Sequence, residues 1–160
     1  MLQIRSILAP TDFSRHSERA VRLACDMAER FGADLHLLHI LPDVIVPVGP
    51  DPALITTVPP EYYADTEAQS MTSLEKVVQP GWGQPASVDY AVRWGDAVEA
   101  IVGYATEHGI DLVVVATHGR TGLSHMLLGS VAEKIVRTAP CPVLTIRERG
   151  EDGAAKSSGA

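Results

Sequence analysis

Residues 4–41 read IRSILAPTDFSRHSERAVRLACDMAERFGADLHLLHIL, and this stretch decides the fold. Ile4 to Ala9 is an apolar run closed by Pro10 and reads as a strand. Asp12 to Ser14 opens a helix through Phe31, with Ala20, Leu23, Ala24, Met27 and Phe31 as its apolar stripe and Gly32 as its C-terminal cap. Leu35 to Leu41 is a second continuous apolar run. Two buried strands joined by a helix imply a right-handed crossover and a parallel pair.

The same alternation continues downstream. Ala64, Ala68, Met71, Leu74 and Val78 form a second helical stripe, ended by Pro80 and Gly81. Ser87 to Arg93 alternates, with Val88, Tyr90 and Val92 on one face. Asp96 begins a helix through His108, with Glu99 as the partner of a capping box and Gly109 as the stop. Leu112 to Ala116 is the most hydrophobic strand. Ser130 starts a last helix with Glu133 three residues on, and Val143 to Ile146 is the last strand. The expected architecture is a single α/β domain over residues 1–148, with residues 149–160 as a disordered tail. Its sheet is open, five-stranded and parallel with helices on both faces. The uniformly apolar first, second and fourth strands belong at its centre and the alternating third at an edge, an order of 3-2-1-4-5. The switch point then lies between the first and fourth strands, at their carboxyl ends, where open α/β sheets bind ligands.

Composition narrows the function. The chain has 160 residues, 46% hydrophobic and only 5% aromatic, which suits a helix-covered sheet more than an aromatic sandwich. A net charge of −7 without a basic stripe argues against nucleic acid, so any phosphate binding must be local. No apolar run approaches the ~20 residues of a membrane span, and the N-terminus runs into a strand without a signal-peptide layout. Cys25 and Cys141 lack CxxC spacing and read as reduced thiols of a cytoplasmic protein.

Two segments meet at the switch point. Pro10, Thr11 and Asp12 follow the first strand. Ala116, Thr117, His118, Gly119, Arg120, Thr121 and Gly122 follow the fourth, and Gly129 and Ser130 lie at the next helix start. Glycines let a backbone approach a ligand, and a helix start adds N–H donors and a positive dipole end. His118 and Arg120 add side-chain donors and charge. Together these make a polyphosphate site. Simpler roles exist for the same residues: the glycines as turn formers, Ser130 as an N-cap, Asp12 as a cap of the first helix. His36 and His39 lie on opposite faces of one strand and do not share a metal.

The segment ATHGRTGLSHMLLGSVAEKIVRTAPCPVLTI resembles the C-terminal signature of ATP-binding universal stress proteins: a small residue, two residues, Gly, nine residues, then Gly-Ser or Gly-Thr. It falls on Ala116, Gly119 and Gly129-Ser130, and the opening ILAPTDFS is similar to the family's start. Ala116 stands where that pattern often has Gly. The resemblance covers essentially residues 1–147. It implies that Pro10, Thr11 and Asp12 line the adenine and ribose side and that Ile40 contacts the base. It places Ala116 and Gly119 along ribose and phosphates. It gives Gly129, Ser130 and Val131 to the phosphates, with Mg²⁺ or Mn²⁺ as an accompanying ion. It also implies a homodimer that responds to stress.

Other nucleotide classes lack their parts. There is no GxxxxGK[ST], and no GxGxxG after the first strand. A phosphoreceiver domain is not supported, because no Lys occurs between residues 77 and 133. Phosphoryl transfer needs a base, metal-holding acids and a cation. Only Asp12, His118 and Arg120 are candidates, so binding with at most slow hydrolysis is expected. The alternative is a nucleotide-free dimeric interaction module. The final strand, apolar and free of Pro, is an edge suited to self-pairing. The stretch 42–60 holds six prolines and is long enough to act as a lid over the nucleotide.

Overall fold

The computed structural model describes residues 3–44, 46–47, 55–56, 58–117 and 129–147. Strand β1 (Ser6–Thr11) leads into helix α1 (Arg15–Phe31) and strand β2 (Asp34–Leu41). Two short strands, β3 (Val46–Pro47) and β4 (Ile55–Thr56), precede helix α2 (Pro60–Leu74). Then come β5 (Val88–Trp94), α3 (Ala97–Glu107), β6 (Leu112–Ala116), α4 (Ser130–Thr138) and β7 (Val143–Ile146).

The main sheet has five strands in the order β5-β2-β1-β6-β7, all parallel. Counted within that sheet alone, this is the expected 3-2-1-4-5. β3 and β4 form a separate antiparallel pair, Val46 opposite Thr56 and Pro47 opposite Ile55. The expected long loop therefore carries a small ladder. A proline fits there because a two-residue edge strand leaves room for a missing N–H.

Alternation along each strand sends successive side chains to opposite faces. Ile7, Ala9, Leu35, Leu37, Leu112 and Val114 face α1 and meet Ala20, Val21, Ala24, Cys25 and Ala28. Leu8, Leu38, Val113 and Val115 face the other way and meet Ile101, Tyr104 and Ala105 of α3 and Ala132 and Ile135 of α4. The buried stripe of α1 consists of small residues, so its backbone sits close to the sheet. Gly32 at φ 63° ends this helix in the left-handed region, and Ala33 N–H bonds back to Ala28 O at 2.8 Å.

Two expected stripes are rotated. Ala20 and Ala24 of α1 are buried, but Phe31 is 51% exposed, because the helix ends there beyond the sheet. In α2, Ala64 and Ala68 are exposed. Ser70 and Leu74 are buried instead, and Tyr63 packs on Trp94 with ring centroids 4.8 Å apart. Trp94 Nε1 donates to Glu67 Oε1 at 2.6 Å, so a polar residue also faces the sheet. Helix α2 sits over the sheet edge, where aromatic and polar contacts replace an aliphatic stripe.

Both cysteines are free. Burial pushes the Cys25 thiol up to about 11 and raises Cys141 as well, so both stay protonated at neutral pH. Among the described residues no helix is long and apolar enough to cross a membrane.

Candidate nucleotide site

β1 connects onward to β2 on one side, and β6 connects to β7 on the other. Their carboxyl ends leave a crevice between them. A cavity of about 320 Å³ lies there, lined by Pro10 and Thr11 of β1 and Asp12 just after it, by Ile40 of β2, and by Ala116 of β6. Gly129, Ser130 and Val131 at the start of α4 complete the set that the sequence brings together. His118, Gly119 and Arg120 lie outside the described residues.

The turn after β1 is held by local hydrogen bonds. Ser14 caps α1 by accepting from Ser17 N–H, and Asp12 is not the cap. Asp12 Oδ1 accepts from Ser14 N–H at 3.0 Å, which fixes one of its oxygens beside the chain. Thr11 Oγ1 accepts from Phe13 N–H at 3.1 Å and pairs with Ser17 Oγ at 3.0 Å. Phe13 adopts φ 62°, the one positive φ among the described non-glycine residues.

The start of α4 differs from the expected cap. Gly129, not Ser130, is the N-cap, at φ −66° and ψ 151°, and it makes no side-chain cap bond. Ser130 is the first helical residue, one position further in, because the Gly129 backbone itself is still extended. Gly129 N–H donates to Thr117 O at 2.7 Å and is therefore used within the protein. Thr117 N–H in turn donates to Ile146 O at 2.9 Å, tying the crevice wall to β7. The first intrahelical bond is Glu133 N–H to Gly129 O at 2.9 Å. The N–H groups of Ser130, Val131 and Ala132 have no acceptor within the helix, and these three residues line the cavity.

The sequence reading missed several lining residues, Ser17, Ala97, Ile101, Val115 and Ala132, while Thr117 lay in the segment it brought to the switch point. Ala97 and Ile101 were accessible from topology alone. A helix that enters β6 from β5 must start at the carboxyl end of the sheet, so its first turn faces the crevice. Ser17 follows from the helix period, one turn beyond the cap. The wall made by Ile40, Ile101 and Val115 is apolar, while Asp12 is the one ionisable group among the described lining residues. One side of the cavity thus suits a flat apolar ring, and the α4 side suits an anion.

This arrangement has known counterparts. The profile of the universal stress protein family matches residues 3–147. The chain belongs to that family. Universal stress protein MJ0531 of Methanocaldococcus jannaschii is 31% identical over 147 residues, covering 90% of this chain and 82% of that protein. A solved universal stress protein in complex with cAMP superposes with a TM-score of 0.64 at 21% identity, covering 91% of this chain and 98% of that one. The universal stress protein of Archaeoglobus fulgidus in complex with dAMP gives 0.54 at 20% identity, covering 91% and 99%. At these identities the structural likeness is one of fold.

Proposed function

We propose that this universal stress protein binds an adenine nucleotide, ATP above all, at the carboxyl end of β1 and β6. It would act as a nucleotide-dependent regulatory or interaction module in a cytoplasmic stress response. The observation that carries the reading is the joining of three chemistries in one cavity. Ile40, Ile101 and Val115 supply an apolar slot for the base, and the Asp12 carboxylate in the same lining is an acceptor suited to ribose hydroxyls. The first turn of α4 supplies N–H donors and a helix dipole for phosphate. Roughly 300–1,000 Å³ is usual for small-molecule pockets, and the cavity of about 320 Å³ suits the nucleoside part, with phosphates leaving along α4. The cAMP and dAMP complexes of proteins with this fold support an adenine ligand.

Among the described residues no group of three or more His, Cys, Asp and Glu side chains could hold a metal. Mg²⁺ or Mn²⁺ would therefore be held by the phosphates and water, with the Ser130 hydroxyl as a candidate protein ligand. In this reading Asp12 serves the nucleoside, which leaves no other ionisable side chain among the described lining residues for phosphoryl transfer, and we infer binding with at most slow hydrolysis.

Ser130→Pro tests the site. Proline fits the first helical position, and the extended backbone of Gly129 accepts a following proline. The substitution deletes one donor N–H and one hydroxyl. ATP affinity measured by calorimetry should fall at least about tenfold, near 1.4 kcal/mol, with the fold kept. No ATP binding by the wild-type chain would overturn the reading.

The outermost strand β7 favours self-association as a further part of the reading. It pairs with β6 on one side, from Val113 opposite Val143 to Ala116 opposite Ile146, and is the last strand on that side of the sheet. We propose a homodimer through Val143–Ile146. Light scattering at micromolar concentration should give a dimer mass, and Leu144→Pro should give a monomer. A dimer that binds no nucleotide would select the nucleotide-free interaction module instead.

A further inference from the structure

His39 lies on β2, directly opposite Thr11 at the end of β1. It is 7% exposed and does not line the cavity. Its Nδ1 is 2.8 Å from Thr11 O. A carbonyl oxygen only accepts, so Nδ1 carries the hydrogen in that bond. The same imidazole packs against the Phe13 ring in a tilted pair, with centroids 4.3 Å apart and 38° between the planes. Thr11 and Phe13 are the two neighbours of Asp12, and one side chain from the next strand holds both.

The hold on Phe13 matters because of its backbone. At φ 62° Phe13 occupies a region that residues with a Cβ rarely adopt, and this geometry persists only where the surroundings over-determine it. The left-handed residue turns the chain sharply, so that Ser14 N–H points back at Asp12 Oδ1. The tilted ring contact with His39 holds Phe13 in that turn from the side-chain side, as the Phe13 N–H bond to Thr11 Oγ1 does from the backbone. The Nδ1 bond fixes the other flank by anchoring the last carbonyl of β1.

We infer that His39 is the positioning residue of Asp12: it sets the carboxylate in the crevice without touching the ligand. The inference rests on the proposed role of Asp12 towards the ribose hydroxyls. It deepens that role by assigning the ribose selectivity of the site to a residue outside it.

The test has a ligand-free arm and a ligand arm on the full chain. Without ligand, His39→Leu should speed hydrogen exchange of the Ser14 amide about tenfold, while the Ala24 amide within α1 keeps its wild-type rate. Phe13→Gly, which tolerates the left-handed turn but removes the ring, should act in the same direction. With ligand, His39→Leu should weaken ATP about tenfold and 2′,3′-dideoxy-ATP far less, so the preference for the ribose diol collapses. His39→Asn, which keeps a donor near the Nδ1 position, should restore part of that preference. In an Asp12→Asn background, His39→Leu should cost no further affinity. Unchanged Ser14 exchange in both His39→Leu and Phe13→Gly, or losses that add in full to those of Asp12→Asn, would overturn the inference. Should wild type bind neither nucleotide while Ser14 exchange responds as stated, the ligand assignment fails and the bracing of Asp12 stands.

Discussion

The two ends of one parallel sheet are treated in opposite ways. At the amino end the chain satisfies itself. Asp111 Oδ2 accepts from Arg5 N–H at 2.8 Å and from Ser6 N–H at 3.1 Å, and the Ser6 hydroxyl donates to the same oxygen at 3.2 Å. Asp34 Oδ1 accepts from the Ser87 hydroxyl at 2.7 Å, joining the starts of β2 and β5. At the carboxyl end a cavity is kept open, and the first-turn donors of α4 find no acceptor in the helix. In a parallel sheet every helix that follows a strand starts at the carboxyl end, so positive dipole ends gather there. Stability is therefore concentrated at one end, and the capacity to bind an anion at the other.

Breaking either end should leave the other in place. The largest effect is expected at the carboxyl end. Gly129→Val should reduce ATP affinity at least about tenfold, or 1.4 kcal/mol, since a branched side chain then projects beside the phosphate donors. The backbone of Gly129 at φ −66° suits any residue, so the variant should stay folded, as a thermal melt without ligand will show. A melt with saturating ATP should lack the upward shift expected of wild type.

On the route into the amino end of β5, Gly83 packs against α1. A Cβ there would lie 2.6 Å from Asp26 Cα and from Cys25 O, both backbone atoms that cannot swing away. Gly83→Ala should therefore cost about 2–3 kcal/mol of stability, measured by urea unfolding, with nucleotide affinity unchanged in the folded fraction. Asp111→Ala should cost less, about 1–2 kcal/mol, because the network it closes lies near solvent.

Acid should weaken the fold through two groups, Asp111 and His36. Backbone N–H bonds from Arg5 hold the Asp111 carboxyl below its ordinary value of 3.8, opposed by partial burial and helped by Ser6. Its contribution is present above that value and is lost as pH falls through the lowered one. His36 acts earlier and more weakly. Burial lowers its pKa below 6.5, against the pull of Asp89, while its Nδ1 bonds Tyr104 Oη at 3.0 Å. The folded state prefers the neutral ring, so stability should begin to decline as pH drops below about 6.5, before the carboxylates titrate. Replacing His36 with Gln should flatten the stability curve between neutral pH and that of the carboxylates. A curve of unchanged slope would assign the decline elsewhere.

How much of this was legible depends on the kind of signal. Strand β6 falls where its apolar run does, because Leu112 to Ala116 is buried on both faces and has no other place to go. The cap at Asp96 was equally local: its carboxylate accepts from Val98 and Glu99 N–H. The stripe of α2 was not legible, since Tyr63 and Glu67 meet Trp94 only after β5 has taken the sheet edge. The cap of α4 was missed for a related reason. Gly129 and Ser130 both suit a helix start, and what chooses between them is the Thr117 carbonyl that takes the Gly129 N–H.

By itself the sequence determined the strand–helix alternation, the strand order and the crevice, because hydrophobic period and crossover handedness are properties of the chain read a few residues at a time. It also brought Pro10, Thr11, Asp12, Ala116, Gly129 and Ser130 to that crevice, to which the family resemblance added Ile40 and Val131, and all eight line the cavity. Only the tertiary structure decided which face α2 presents, which residue caps α4, and how Asp12 is held. Those depend on atoms far apart in the chain, such as His39 against Thr11 and Phe13, whose meeting exists only once β2 has been laid beside β1.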